Sequence, residues 1–144
     1  MVKLETATWG AIEVAEADIF QFPDGLYGME EQTRFALVRP DEELPFAYLQ
    51  STTEPGICLL IADPFAFYRA YEFDLSESDV AKLDRLTPEQ TAVWVTMTAG
   101  ESLQDATVNL LAPLVFNTEK RIGRQVVLHD STYPVKAPLM KEGK

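Results

Sequence analysis

Histidine and cysteine each occur once, as His129 and Cys58, and that scarcity excludes most metal and thiol chemistry at the outset. A zinc centre draws its ligands from several such residues, and a disulfide framework needs an even set of cysteines. Cys58 sits in the apolar run at 57–61, so it is expected to be a buried thiol, at home in a reducing compartment and most simply the cytoplasm. Long apolar runs are missing too. No window approaches the roughly 20 apolar residues of a membrane span, and the first residues carry no apolar h-region, so the expectation is a chain neither embedded nor exported by a standard signal. No glycine-rich phosphate loop occurs among the seven glycines, and no acidic stretch has EF-hand spacing.

The lone histidine also bears on catalysis. His129-Asp130-Ser131 contains the three residue types of a hydrolase triad, but neighbours on an extended chain point to opposite sides and cannot converge on one reacting atom. No nucleophile elbow is present. Carboxylate pairs can always be picked from twenty-three acids, which is why no one pair carries meaning. The sequence therefore predicts a protein without catalysis, cofactor or metal.

Positive charge is nearly absent from the first half. Up to Val80 there are sixteen acids and four bases, and from Ala81 onward seven acids and eight bases. Between Lys3 and Arg34 no base occurs, while Glu13, Glu16, Asp18, Asp24, Glu30 and Glu31 do. Such a surface repels phosphate backbones and attracts basic partners, which disfavours direct nucleic-acid binding; acidity also simply keeps proteins dispersed.

What is present is a core. With 144 residues and 47% hydrophobic content, the chain suffices for one domain, 1–144, with a tail from about 131. Its organising stretch comes late. Two apolar runs, at 109–117 and 124–129, flank the polar linker 118–123 and read as neighbouring antiparallel strands. Pro113 cannot donate a ladder hydrogen bond, so the first of these strands begins near Leu114 or lies at an edge. Val126 and Leu128 share one face of the second.

Upstream, residues 3–8 and 11–14 are expected to form a hairpin around Trp9-Gly10, with Ile12 and Val14 inward. The run at 19–22 ends at Pro23-Asp24-Gly25, a tight-turn sequence, and Gly28 adds a second permissive point to a loop of aromatics and acids. Strands are expected at 34–39, 45–50 and 91–98, and at 57–62, whose unbroken apolarity suggests cover on both faces. Five aromatics, Phe65, Phe67, Tyr68, Tyr71 and Phe73, then crowd together. They are read mainly as core, with Tyr71 and Glu72 the most exposed. One helix, of at most about three turns, follows a capping pair at Ser76 and Asp79, with Val80, Leu83 and Leu86 on its apolar face. Eight to ten short strands with one short helix give a mainly β, single-domain antiparallel sheet curled into a barrel-like structure.

These segments resemble the FliW family of bacterial flagellar assembly factors. The resemblance rests on Phe20-Gln21-Phe22-Pro23-Asp24-Gly25 with Gly28 and Glu30, Pro45-Phe46 through Leu49-Gln50-Ser51, and Asp63-Pro64-Phe65 with Tyr71-Glu72-Phe73. It continues through Asn109-Leu110-Leu111-Ala112-Pro113, Gln125-Val126-Val127-Leu128, Tyr133 and Pro138-Leu139. Tyr27, Met29, Arg69, Ala70 and Ala137 depart from the family's usual residues. The resemblance implies a cytoplasmic, non-catalytic protein that binds two partners in alternation: flagellin, and CsrA, a basic RNA-binding dimer that represses flagellin translation. Contacts are expected at Asp24, Tyr27, Glu30 and Glu31 of the acidic loop and at Tyr71 and Glu72. Two alternatives stand beside this reading, a flagellin chaperone acting mainly in export and a small-ligand-binding β-barrel.

Overall fold

The computed structural model describes residues 1–140. Its strands are β1 (Val2–Thr6), β2 (Gly10–Val14), β3 (Ile19–Gln21), β4 (Arg34–Val38), β5 (Phe46–Ser51), β6 (Cys58–Ala62), β7 (Thr91–Thr98), β8 (Thr107–Val108), β9 (Leu114–Asn117), β10 (Ile122–Gln125) and β11 (Ala137–Pro138). The late hairpin forms, but not with the expected bounds: its second strand takes in Ile122 and Gly123 of the expected linker and ends at Gln125, leaving Val126, Val127 and Leu128 of the run at 124–129 outside it. β9 begins directly after Pro113 and pairs antiparallel with β10, Gly123 opposite Phe116. The same β9 also pairs with β7, Trp94 opposite Leu114. That second pairing closes β7, β6, β5, β4, β3, β10 and β9 into a ring of seven strands. All its pairings are antiparallel except one: β10 runs parallel to β3, Ile122 beside Gln21. Closure removes the free edges that a curled sheet would otherwise expose.

The alternation of each strand sorts side chains between the barrel's interior and its outer wall. Phe20, Phe22, Phe35, Leu49, Ile61, Trp94, Leu114 and Phe116 fill the interior. Edge-to-face ring pairs, Phe22 with Phe35 and with Phe116, both at 5.5 Å, knit it together, the arrangement that aromatic quadrupoles favour. A Cβ at Gly123 would lie 2.4 Å from the Phe22 ring, so the strand carries glycine where that ring crosses it.

Two covers lie on the outer wall. The β1–β2 hairpin sets Leu4 and Val14 against Ile19 and Ala36. On the opposite side Tyr71, Leu83, Leu110, Val126, Leu128 and Leu139 pack with Val95 and Val115. The C-terminal segment seals this layer through β11, which pairs with β8, and through the Leu139 amide, which donates to the Ala106 carbonyl at 2.9 Å. The tail thus drapes as expected; its final residues, 141–144, expected to fray, lie outside the described residues.

Several expectations need correction. Two helices occur among the described residues, not one: α1 (Pro64–Phe67) and α2 (Glu77–Lys82). The N-cap at Ser76 is real, its Oγ accepting from the Asp79 amide at 3.1 Å, and α2 stays within three turns, but it ends at Lys82, so Leu83 and Leu86 of the expected apolar face fall beyond it. Asp84 and Arg85 both take φ near +60°, and Asn117 Nδ2 donates to the Leu83 carbonyl at 2.8 Å. A buried asparagine on β9 therefore satisfies the helix end from outside and turns the chain away. Along 57–62 only Ile61 and Ala62 are buried, because β7 pairs with β6 at those two residues alone. Cys58 is correspondingly half-buried rather than buried.

Candidate functional site

The loop at 23–31 is built by its glycines. Gly25 has φ +67°, and a Cβ there would sit 2.3 Å from the Glu30 carbonyl oxygen, so no other residue fits without moving the backbone. The chain folds back on itself at once, with Leu26 bridged to Met29 and both Gly25 and Met29 amides donating within the turn at 2.8 and 2.9 Å. Leu26 points into the barrel end and is buried, whereas Tyr27 is 63% exposed. The base of the loop is pinned: the Tyr27 amide donates to Gln125 Oε1 at 3.0 Å, and Ser51 Oγ donates to the buried Gln32 Oε1 at 2.6 Å.

Arg124, on β10, ties this loop to α2. Its Nη1 donates to the Asp24 carboxylate, and its Nε donates to Asp79 Oδ1 at 2.8 Å. Burial alone would raise the Asp79 carboxyl, but the Arg124 and Ser76 hydrogen bonds and the guanidinium charge outweigh it and hold it below its ordinary value. Arg124 is opposed by burial in the same way, and its two carboxylate partners prevail and raise it further. Charge-assisted bonds of this kind fix geometry as well as charge.

A cleft of about 230 Å³ opens beside the clamp, lined by Asp24, Tyr27, Glu30, Lys82 and Arg124. A second, of about 410 Å³, is lined by Asp79 together with Glu72, Asp74 and Asp130. The clamp thus stands between two carboxylate-lined clefts. Glu30, Glu31 and Glu72 are exposed, and none of them takes part in an ion pair among the described residues.

The expected contact residues therefore divide. Asp24, Tyr27, Glu30 and Glu31 share one loop, with Asp24 neutralised by Arg124, and Glu72 lies in the neighbouring cleft. Tyr71 is a correction. It is 4% exposed rather than one of the more exposed aromatics, with its hydroxyl donating to the Leu110 carbonyl at 2.7 Å and its ring against Tyr133 at 4.7 Å. Burial, with Tyr133 beside it, pushes its pKa far above the ordinary phenol range. Its ring offers no face to a partner. The sequence marks Asp79 only as a capping residue, and marks Arg124 only as a base on a strand in a chain poor in bases.

No cluster of three or more potential metal ligands occurs among the described residues, and no helix there is long and apolar enough to cross a membrane. Fold and surface together define a small mixed β-barrel, closed and internally filled, with an acidic loop at one end. The comparisons with known proteins then agree. Residues 3–139 match the family model described as FliW protein. A flagellar assembly factor FliW of Desulfitobacterium hafniense (strain Y51) is 38% identical over 99% of this chain and 94% of its own. That of Bacillus subtilis (strain 168) is 35% identical over 94% of this chain and 95% of its own. A crystal structure of the flagellar assembly factor FliW superimposes with a TM-score of 0.90 at 34% identity, covering 99% of this chain and 100% of that one. The chain belongs to the FliW family of flagellar assembly factors.

Proposed function

We propose that this protein acts without catalysis in the cytoplasm as a partner switch. It binds the basic translational regulator CsrA and relieves its repression of flagellin translation, and it binds flagellin in alternation, so that accumulating flagellin displaces and frees CsrA. The observation that carries the CsrA half is the acidic loop: Glu30 and Glu31 are exposed and in no ion pair among the described residues, on a turn that Gly25 and the Asp24–Arg124 pair hold in place. Fixed carboxylates steer a basic partner and set its register. Glu72 belongs to the same surface through the neighbouring cleft.

The small-ligand reading loses support from the filled interior. Such sites are hollow, apolar and set with convergent polar groups, whereas Phe22, Phe35, Leu49 and Leu114 leave no measurable exposure inside this barrel. An export chaperone would bind flagellin and ignore CsrA. Size-exclusion chromatography with each partner singly and with both together separates these readings. The switch requires co-elution with either one and displacement of CsrA by flagellin; co-elution with flagellin alone would overturn it.

A further inference from the structure

We propose that a notch on the outer wall of the barrel, remote in sequence from the acidic loop, seats an amphipathic helix of a partner protein. That helix carries an apolar stripe with lysine or arginine on both flanks. The notch exists because β7 leaves β6 early. The two pair only at Ile61 with Thr96 and Ala62 with Val95, after which Met97 turns to pair with Val108 of β8. A wedge opens beyond Leu60. The two outer covers stop on either side of it: Trp9 of the hairpin reaches the edge of Tyr48, at 5.1 Å, and Phe67 of α1 reaches Phe46, at 5.7 Å. Between them Leu44, Phe46, Tyr48, Leu60, Met97 and Leu103 line a groove of about 290 Å³. Leu44 and Leu103, from different connections, are each 50% exposed at this groove.

The chemistry of the groove selects its occupant. It lies at the small end for a ligand site and lacks convergent polar groups, since Asp41 is its one charged lining residue. Exposed acids flank its lining residues in sequence on both sides. Asp41, Glu42 and Glu43 precede Leu44, Glu101 and Asp105 bracket Leu103, and all five are exposed. The base nearest in sequence to Leu44, Arg39, is tied back to the same turn, its Nη2 donating to the carbonyls of Glu42 at 2.9 Å and Leu44 at 3.1 Å with the guanidinium 5.2 Å from the Trp94 ring, so one positive charge stands against Asp41, Glu42 and Glu43. An apolar floor whose lining residues are flanked by acids complements a helix with apolar anchors at i, i+3 and i+7 and basic residues beside them. Strand addition fits less well. The part of β6 without a β7 partner is only Cys58, Leu59 and Leu60.

The test uses a fluorophore-tagged designed helix with leucines at i, i+3 and i+7 and lysines on both flanks, its glutamate-flanked twin, and fluorescence anisotropy. Saturable binding is expected for the lysine peptide, weakened by salt, with the glutamate peptide at least about tenfold weaker. Leu103→Asp and, separately, Leu44→Asp should each cost about tenfold in affinity without moving the thermal melt, because both side chains are already half in solvent. Reversing Glu30 and Glu31 together should leave this binding unchanged, which separates the notch from the proposed CsrA surface. Equal binding of the two peptides, no binding at all, or indifference to both leucine changes would overturn the proposal. So would self-association abolished by Leu103→Asp, which would make a second copy of the chain the occupant.

Discussion

Residues 23–31 carry three acids and one tyrosine, residues 65–73 five aromatics and one acid, and sequence alone assigns contact residues to each. The fold treats them oppositely. The first is thrown outward by Gly25 and Gly28, both at positive φ, so that Tyr27 and the glutamates remain in solvent. In the second, Tyr71 alone is buried, because the Leu110 carbonyl and the Tyr133 ring give it a partner for its hydroxyl and another for its face, while Phe65, read as core, is 43% exposed. A tyrosine is free to serve a partner only where no buried acceptor waits for it, and that depends on residues far away in the chain.

The largest expected effect comes from breaking the inward region. Tyr71→Ala removes a buried ring packed on Phe65, Phe73 and Tyr133 and should cost about 3–5 kcal/mol in urea unfolding, against about 1 kcal/mol for Tyr71→Phe, which loses only the hydroxyl bond. A small loss for Tyr71→Ala would mean that the two regions are not opposites. Next, Gly25→Ala forces a Cβ into the Glu30 backbone at positive φ and should cost about 1–3 kcal/mol, with amide exchange rising first in residues 23–31.

Asp79→Asn, which loosens the clamp joining loop to helix, should cost about 1–2 kcal/mol at neutral pH. Here the pH dependence has a definite sign. Asp79 titrates below its ordinary value in the folded protein, so its stabilisation is present above the unfolded carboxyl pKa, near ~3.9, and is lost as pH falls through the lower folded value. The stability gap between the natural protein and the variant should therefore close on acidification; a gap constant down to strongly acid pH would deny the pair its role. Smallest in stability is the double change Glu30→Lys with Glu31→Lys, expected within about 0.5 kcal/mol of the natural protein. That variant should nevertheless lose CsrA affinity, and most of its salt dependence, in titrations at low and moderate salt.

Local chemistry was legible in the sequence wherever it decided the outcome. Pro113 set the start of β9, Pro23-Asp24-Gly25 set the turn, and the capping pair at Ser76 and Asp79 set the start of α2. What could not be read depended on long-range partners. Leu86 continues a helical period that Asn117 interrupts from another strand. The parallel pairing of β3 with β10 has no local signature. Within the candidate site the exposed acids of the loop were readable from composition and turn residues, but Arg124 reaches Asp79 across 45 positions and Asp24 across 100. No spacing in the chain announces such a clamp.

The parallel seam has a kinetic corollary. A ring that joins Gln21 to Ile122 cannot be completed on the ribosome until residue 122 has emerged. Until then the phenylalanines at positions 20, 22 and 35, destined for the barrel's interior, wait without Phe116 and Leu114 to cover them. Non-local topologies of this kind fold slowly and expose apolar surface meanwhile. The acidic stretch in the amino-terminal half would then keep unfinished chains apart through their mutual repulsion.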